Sequence, residues 1–361
     1  MKKLSSMLSG KGIAIILIAL LAGVGAGTFI ISPVVTSGQQ QQQNLVLIYT
    51  FGQASGSLYI PGSTTVLPIT VEMAPAFTAR NPFITIQAAG GGSGAGYSAV
   101  INQQTDIAAA SREPKASEIS SATAAGVKLI TWIIGADAIV VIYNSQGLGV
   151  SEVNLTRAQV GEIFNASAKG TGPVYWDQYV SGAPHQPITV FIREDGSGTR
   201  GDFESDFQVD KTGTWPGVTK VTSNGLMISS VKSQQYSMGY VALSYYTAEK
   251  ADPSSPIGGV NVAYNSSYSY ETPDIEGVIS WAKARISNPG VYTGGYFACR
   301  WLYYITDGFP EPGSLIDRYL GFVYSSAGQA IVDRVGYVSA ERAGLTIGLP
   351  YWYYSTPIVW N

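Results

Sequence analysis

The chain has 361 residues, enough for two globular units with sizeable cores, and 45% of them are hydrophobic, which excludes a disordered chain. Lys and Arg number 21 against 24 Asp and Glu, a net charge of −3 with no basic run in the globular part, which disfavours nucleic acid as a partner. The single cysteine, Cys299, excludes an intrachain disulfide and a cysteine-based zinc site, and its apolar neighbours Tyr296, Phe297 and Ala298 mark it as a buried thiol.

At the N-terminus, Lys2, Lys3 and Lys11 precede an uncharged run from Gly12 to Val35, about 24 residues and long enough to span a bilayer. The next Lys or Arg is Arg80, and this asymmetry places the N-terminus in the cytoplasm and everything after Val35 outside it. A cleaved signal peptide with a small-residue site at Ala22 to Gly27 is the competing reading. The apolar run continues through Phe29-Ile30-Ile31, beyond a typical signal core, so a retained single-pass anchor is favoured. Residues 1–36 are thus expected to form the anchor or signal, and 37–56, with the tract Gln39 to Gln43, a linker between membrane and fold. Triplets beginning at Asn154, Asn165 and Asn265 match the N-glycosylation pattern and agree with an external location.

Further along, short apolar runs alternate with helical patterns. Ile84 to Ile86, Lys128 to Ile130, Ala138 to Tyr143 and Ile188 to Ile192 read as strands. Pro68 to Arg80, Gly96 to Gln104, Thr156 to Phe164 and Arg200 to Phe207 carry helical periodicity. The alternation argues for α/β domains, in which ligands bind at the carboxyl ends of strands. Three stretches place glycine beside Ser or Thr ahead of a helix: Gly62 to Thr65, Gly90 to Gly94, and Gly196 to Thr199. Glycine admits close backbone approach, hydroxyls donate hydrogen bonds, and a helix start offers unpaired N–H groups with partial positive charge. With Arg193 beside the third loop, the combination suggests a site for a small oxyanion. His185, the one histidine, sits in a turn-rich loop and is expected to be solvated.

The order of these motifs resembles the phosphate-binding proteins of ABC-type phosphate importers, which have the type II periplasmic-binding-protein fold. Gly62-Ser63-Thr64-Thr65-Val66 with Pro68 is similar to the family's first phosphate loop, and Gly90 through Gly96 to the second. Asp106 through Arg112 resembles its "DIA-ASR" segment, and Arg193 through Thr199 its "R-x-D-G-S-G-T" loop. Leu155-Thr156 with Ile163-Phe164, Ser237 to Val241, Arg300 to Tyr304 and Ser325 to Gln329 match later segments, so the resemblance covers most of residues 57 to 345.

The resemblance implies an α/β fold of two lobes joined by two crossing strands near Val141 and Trp301. Lobe 1 would hold residues 57–142 and 300–345 and lobe 2 residues 143–299, with 346–361 an aromatic C-terminal tail packed on the body. It implies ligand contacts from Thr64, Thr65 and Val66, partly through backbone N–H, from Ser93, from Ser111 or Arg112, and from Arg193, Asp195, Ser197, Gly198 and Thr199. Several members have an acidic residue where this chain has Arg112, and that carboxylate accepts a proton of the bound phosphate. The acceptor expected here is therefore Asp195, with Asp106 and Glu113 behind it. The function implied is capture of inorganic phosphate outside the cytoplasm and its delivery to the membrane permease of an ABC importer, with no cofactor, no metal and no enzymatic step. Sulfate, molybdate or tungstate are the alternative ligands. A phosphatase is disfavoured by the single histidine and the lack of a His/Asp cluster at metal-ligand spacing, and a purely structural surface protein would leave the glycine loops idle.

Overall fold

A computed structural model describes residues 55–287, 295–346 and 357–360. The expected anchor at 12–35, the Gln tract and the aromatic run 350–354 lie outside the described residues. No helix among the described residues is long and apolar enough to cross a membrane.

The strand and helix signals of the first half fold as βα units. Strand Gly56–Pro61 pairs in parallel with strand Ile84–Ala89, and helix Leu67–Thr78 connects them. Helix Ser93–Ile101 then leads to strand Ile107–Ala110. Pro68 stands in the first turn of its helix, where a missing N–H costs nothing. Farther on, Thr156 caps helix Arg157–Lys169 in a reciprocal box with Gln159, and Gly170 closes it in the left-handed conformation.

One element departs from the sequence reading. Lys128 to Ile130 and Ala138 to Tyr143, read as two strands, are the two ends of a single 16-residue strand, Leu129–Asn144, buried along its whole length. Gly135 and Asp137 look like a break in sequence, but both are fitted. A Cβ at Gly135 would lie 2.6 Å from the Val338 carbonyl oxygen, and Asp137 meets a buried arginine. From Leu129 to Ala138 this strand pairs antiparallel with strand Cys299–Asp307, and from Ile139 to Tyr143 with strand Ser237–Ala242. The exchange of partners between Ala138 and Ile139, with the Ile139 N–H donating to the Ala298 carbonyl, is where two strands cross from one lobe to the other.

Alternate residues of the sheet feed opposite faces. In the first lobe Ile130, Trp132, Ile134, Leu302 and Tyr304 share a core with helix residues Ile69, Met73 and Phe77. Leu129, Ile133, Tyr303 and Ile305 share the opposite core with Tyr97 and Val100. The second lobe carries a larger core in which Val140, Ile142, Val190, Ile192 and Tyr240 meet Phe164, Phe203 and Trp176. Strand Thr189–Arg193 lies there in parallel with Ser237–Ala242 and Thr219–Val221 and delivers its carboxyl end to helix Gly198–Asp206. Cys299 is buried, and burial pushes its thiol well above the ordinary range. Downstream of the aromatic run, strand Pro357–Val359 pairs with the long strand and Trp360 Nε1 donates to Thr131 Oγ1 at 2.9 Å.

Candidate functional site

Four helices begin in one hydrogen-bonded cluster between the lobes. In the first lobe, Gly62 carries φ 132° and lies so close to the Ala109 carbonyl that no Cβ fits. The following loop turns through Thr64 and Thr65 into helix Leu67–Thr78. Ser93 opens its own helix, and its Oγ accepts from the Ser111 N–H at 3.0 Å and lies 3.3 Å from Ser111 Oγ. In the second lobe, Ser197 caps helix Gly198–Asp206 by accepting from the Arg200 N–H, which places Gly198 and Thr199 in its first turn. Asn224 opens helix Asn224–Ser233.

The lobes touch through these starts. Thr65 Oγ1 lies 3.1 Å from Thr199 Oγ1, and the Gly94 N–H donates to the Gly196 carbonyl at 3.0 Å. Arg193 Nη2 donates to Thr64 Oγ1 at 3.0 Å. A Cβ on Gly198 would lie 2.6 Å from Ser111 Oγ and closer still to Ser93 Oγ, so only glycine permits this approach. First-turn N–H groups from facing helices carry partial positive charge, a setting that favours an anion.

Arg193 is 1% exposed. Its Nε and Nη2 each donate to Glu194 at 2.9 Å, while its Nη1 is buried without a hydrogen-bond partner among the described residues. A buried guanidinium nitrogen left unpaired costs free energy that an anionic acceptor would recover.

The structure distributes the expected site residues unevenly. Thr64, Thr65, Ser93, Ser111, Arg193, Ser197, Gly198 and Thr199 come together. Val66 is fully buried as the residue before its helix, and its N–H and that of Thr65 both donate to Ser63 Oγ, at 3.4 and 3.2 Å. The backbone donors expected from Thr65 and Val66 are thus already engaged.

Arg112 turns from the cluster to Glu118, with two bonds of 2.7 Å, and packs over the Tyr97 ring. Asp195, expected as proton acceptor, does not join the cluster either. Its side chain is 76% exposed and bonds Arg200 and Lys220, and the Lys220 bond foremost lowers its carboxyl below the usual range. Asp106 and Glu113 are exposed. Beside the cluster a cavity of about 670 Å³ opens between the lobes, lined by Arg112, Asp202, Trp281, Arg300 and Trp301 among others.

Two further residues enter the cluster that sequence reading passed over. Arg300, on the strand Cys299–Asp307, donates to Asp137 at 2.9 and 3.1 Å, to Thr65 Oγ1 at 3.2 Å and to Asp202 at 3.5 Å. Asn224 Nδ2 donates to Thr65 Oγ1 at 3.3 Å. A charge inside an otherwise apolar strand and a Ser-Asn-Gly start to a helix were the available signals. Burial raises the Asp137 and Asp202 carboxyls, Asp202 to about 6, against the pull of Arg300.

A family model described as the PBP superfamily domain matches residues 49–327. The chain belongs to the PBP superfamily. Among similar proteins, the protein SphX of Synechococcus elongatus is 30% identical over 190 residues, 52% of this chain and 55% of that protein. The phosphate-binding protein PstS of Staphylococcus saprophyticus is 27% identical over 202 residues, 55% of this chain and 59% of that one. The chain therefore matches a little over half the length of these curated relatives. A crystal structure from Clostridium perfringens, described as a putative phosphate ABC transporter substrate-binding protein with bound phosphate, aligns with TM-score 0.60 at 24% identity. That alignment covers 79% of this chain and 99% of that one, and it establishes the two-lobed α/β fold.

Proposed function

We propose that this PBP-superfamily chain is an extracytoplasmic solute-binding protein that captures inorganic phosphate between its lobes and delivers it to the permease of an ABC importer. The observation that carries the reading is the meeting of four helix starts around Arg193, whose buried Nη1 lacks a partner among the described residues. The PstS relative, named a phosphate-binding protein, and the structural neighbour with bound phosphate support phosphate as the oxyanion.

The reading is capture and release without chemistry on the ligand. The cluster hydroxyls of Thr64, Thr65, Ser93, Ser111 and Thr199 meet one another, arginine or asparagine, and among the described residues none bonds a histidine or carboxylate that would activate it as a nucleophile. Lobe 1 is taken as 57–142 with 300–345 and lobe 2 as 143–299, although residues 139–142 of the crossing strand pack in the second lobe's core, and closure brings Arg193 and Thr199 onto the loops of Thr64 and Ser93. Residues 12–35 are proposed as a retained single-pass anchor with the globular part outside, as the charge asymmetry before Arg80 suggests.

Titration calorimetry of the full chain in detergent with inorganic phosphate tests the reading, and saturable binding at one site per chain is expected. No heat and no change in intrinsic fluorescence at millimolar phosphate would reject it. Protease added to intact cells tests the topology, and recovery of the globular part from the cytosol would reject the anchor.

A further inference from the structure

The fold treats the three N-glycosylation triplets differently. Glycosylation joins the asparagine Nδ2 to a sugar, and the transferase reads the hydroxyl two residues further on. An acceptor therefore needs an exposed backbone, a free amide nitrogen and a free hydroxyl.

At Asn165 the amide is taken. The residue lies half-buried inside helix Arg157–Lys169. Its Nδ2 donates to the Gln208 carbonyl at 3.2 Å and its Oδ1 accepts from the Asp210 N–H at 2.7 Å, so this side chain staples the helix to the chain at 208–210. At Asn154 the hydroxyl is taken. Strand Asn154–Thr156 pairs in parallel with strand Asn261–Ala263, and Asn154 Oδ1 accepts from Asn261 Nδ2 at 2.8 Å. Thr156 caps the next helix, its Oγ1 accepting from the Gln159 N–H at 3.3 Å and donating to Gln159 Oε1 at 3.1 Å.

Asn265 meets all three conditions. Val262 and Glu271 exchange backbone hydrogen bonds of 3.0 and 3.1 Å, which close a loop whose residues 265–270 are all exposed. Within it the Tyr268 N–H donates to the Asn265 carbonyl at 3.1 Å, and the Ser267 N–H donates to Asn265 Oδ1 at 2.9 Å. This turn folds Ser267 back beside the amide. Neither Asn265 Nδ2 nor Ser267 Oγ has a hydrogen-bond partner among the described residues. Tyr268 and Tyr270, 40% and 49% exposed, add ring surface at the same tip against which a sugar can pack.

We infer that Asn265 carries an N-linked oligosaccharide and that Asn154 and Asn165 do not. The donor is an oligosaccharide whose anomeric carbon is bonded to a lipid phosphate. Asn265 Nδ2 bonds to that carbon as its C–O bond to phosphate breaks. The lipid phosphate leaves with the electron pair, and the amide nitrogen gives one proton to a base of the transferase. None of residues 265–270 lines the interlobe cavity, so the glycan leaves ligand entry open. The inference rests on the extracytoplasmic reading above, because the transfer takes place outside the cytoplasm.

Trypsin puts the three triplets on separate peptides, 129–157, 158–169 and 251–283, so mass spectrometry of the full chain from its native membranes reads each one. An oligosaccharide mass is expected on 251–283 alone. It should vanish in Asn265→Gln and in Ser267→Ala and persist in Ser266→Ala, whose hydroxyl the transferase does not read. Ser267→Ala keeps both the acceptor amide and the backbone turn, and unaltered circular dichroism shows that each variant is folded. A bare 251–283 peptide in protein that added protease reaches on intact cells overturns the inference and leaves the extracytoplasmic reading standing. A bare peptide in protein recovered from the cytosol rejects both. Glycan on Asn154 or Asn165 at an occupancy equal to that of Asn265 also overturns the inference.

Discussion

Replacing Gly198 with alanine separates closure from folding. Gly198 stands in the first turn of helix Gly198–Asp206 without a left-handed backbone, so alanine is tolerated by the helix itself and is favoured there by up to about 1 kcal/mol. The obstacle lies across the boundary. The added methyl would sit 2.6 Å from Ser111 Oγ and nearer still to Ser93 Oγ, where ordinary contact begins near 3.4 Å, so the lobes must part locally by about 1 Å. The two serines cannot simply swing away, because Ser93 Oγ holds the Ser111 N–H and faces Ser111 Oγ. A separation of that size takes the Thr65–Thr199 and Gly94–Gly196 pairs, now 3.1 and 3.0 Å, out of effective hydrogen-bond range.

Two such bonds, or the ligand bonds replacing them, are together worth about 1–3 kcal/mol, so phosphate affinity should fall between about fivefold and about 150-fold. Thermal unfolding without ligand should stay level or move slightly downward, the helix gain of up to about 1 kcal/mol offsetting only part of the lost bonds. Calorimetry gives the affinity, and small-angle scattering with saturating phosphate reports whether the lobes still close. An unchanged dissociation constant together with wild-type compaction would show that Gly198 does not lie at the closing contact.

Arg193→Ala should weaken phosphate binding by about 1.5–3 kcal/mol, the range for hydrogen bonds to a charged group, read by the same calorimetry. Asp195→Asn should leave phosphate binding and sulfate competition unaltered and change stability by less than about 1 kcal/mol, since its exposed carboxylate serves only Arg200 and Lys220. Asp202→Asn bears on pH. Burial lifts the Asp202 carboxyl to about 6 from 3.8, so the folded protein keeps a proton that the unfolded chain releases between those values. Its contribution is therefore gained as pH falls through 6 and lost as pH rises, to an upper figure of about 3 kcal/mol across that window. Urea midpoints at several pH values should show this slope in wild type and its loss in the variant.

Much of the fold could be read locally. Apolar runs of strand length, helices opened by Ser, Thr and Pro, and glycine loops before helix starts are choices each segment makes from its own backbone preferences. The helices at Leu67–Thr78 and Arg157–Lys169 and the strand Thr189–Arg193 formed within a few residues of where periodicity placed them. Family motifs likewise marked Thr64, Ser93 and Arg193 as neighbours before any distance was known. The single strand Leu129–Asn144 read as two, Lys128 to Ile130 and Ala138 to Tyr143, with Gly135 and Asp137 lying between them. Only the approach of Val338 and the arrival of Arg300 make them strand residues.

What the tertiary structure decided was partner choice. Glu194 and Asp195 are adjacent carboxylates after one strand, yet the chain turns Glu194 onto Arg193 and sends Asp195 to Arg200 and Lys220 at the surface. Arg112 likewise had a guanidinium suited to an anion, and the capping glutamate of the next helix took it. Asn224 and Arg300 reach Thr65 across 159 and 235 residues of chain, a meeting that no local pattern encodes. Segment preferences fix which donors exist. The direction each buried donor faces is set by the nearest acceptor once the lobes assemble, because an unpaired polar group in the interior costs more than any local preference supplies.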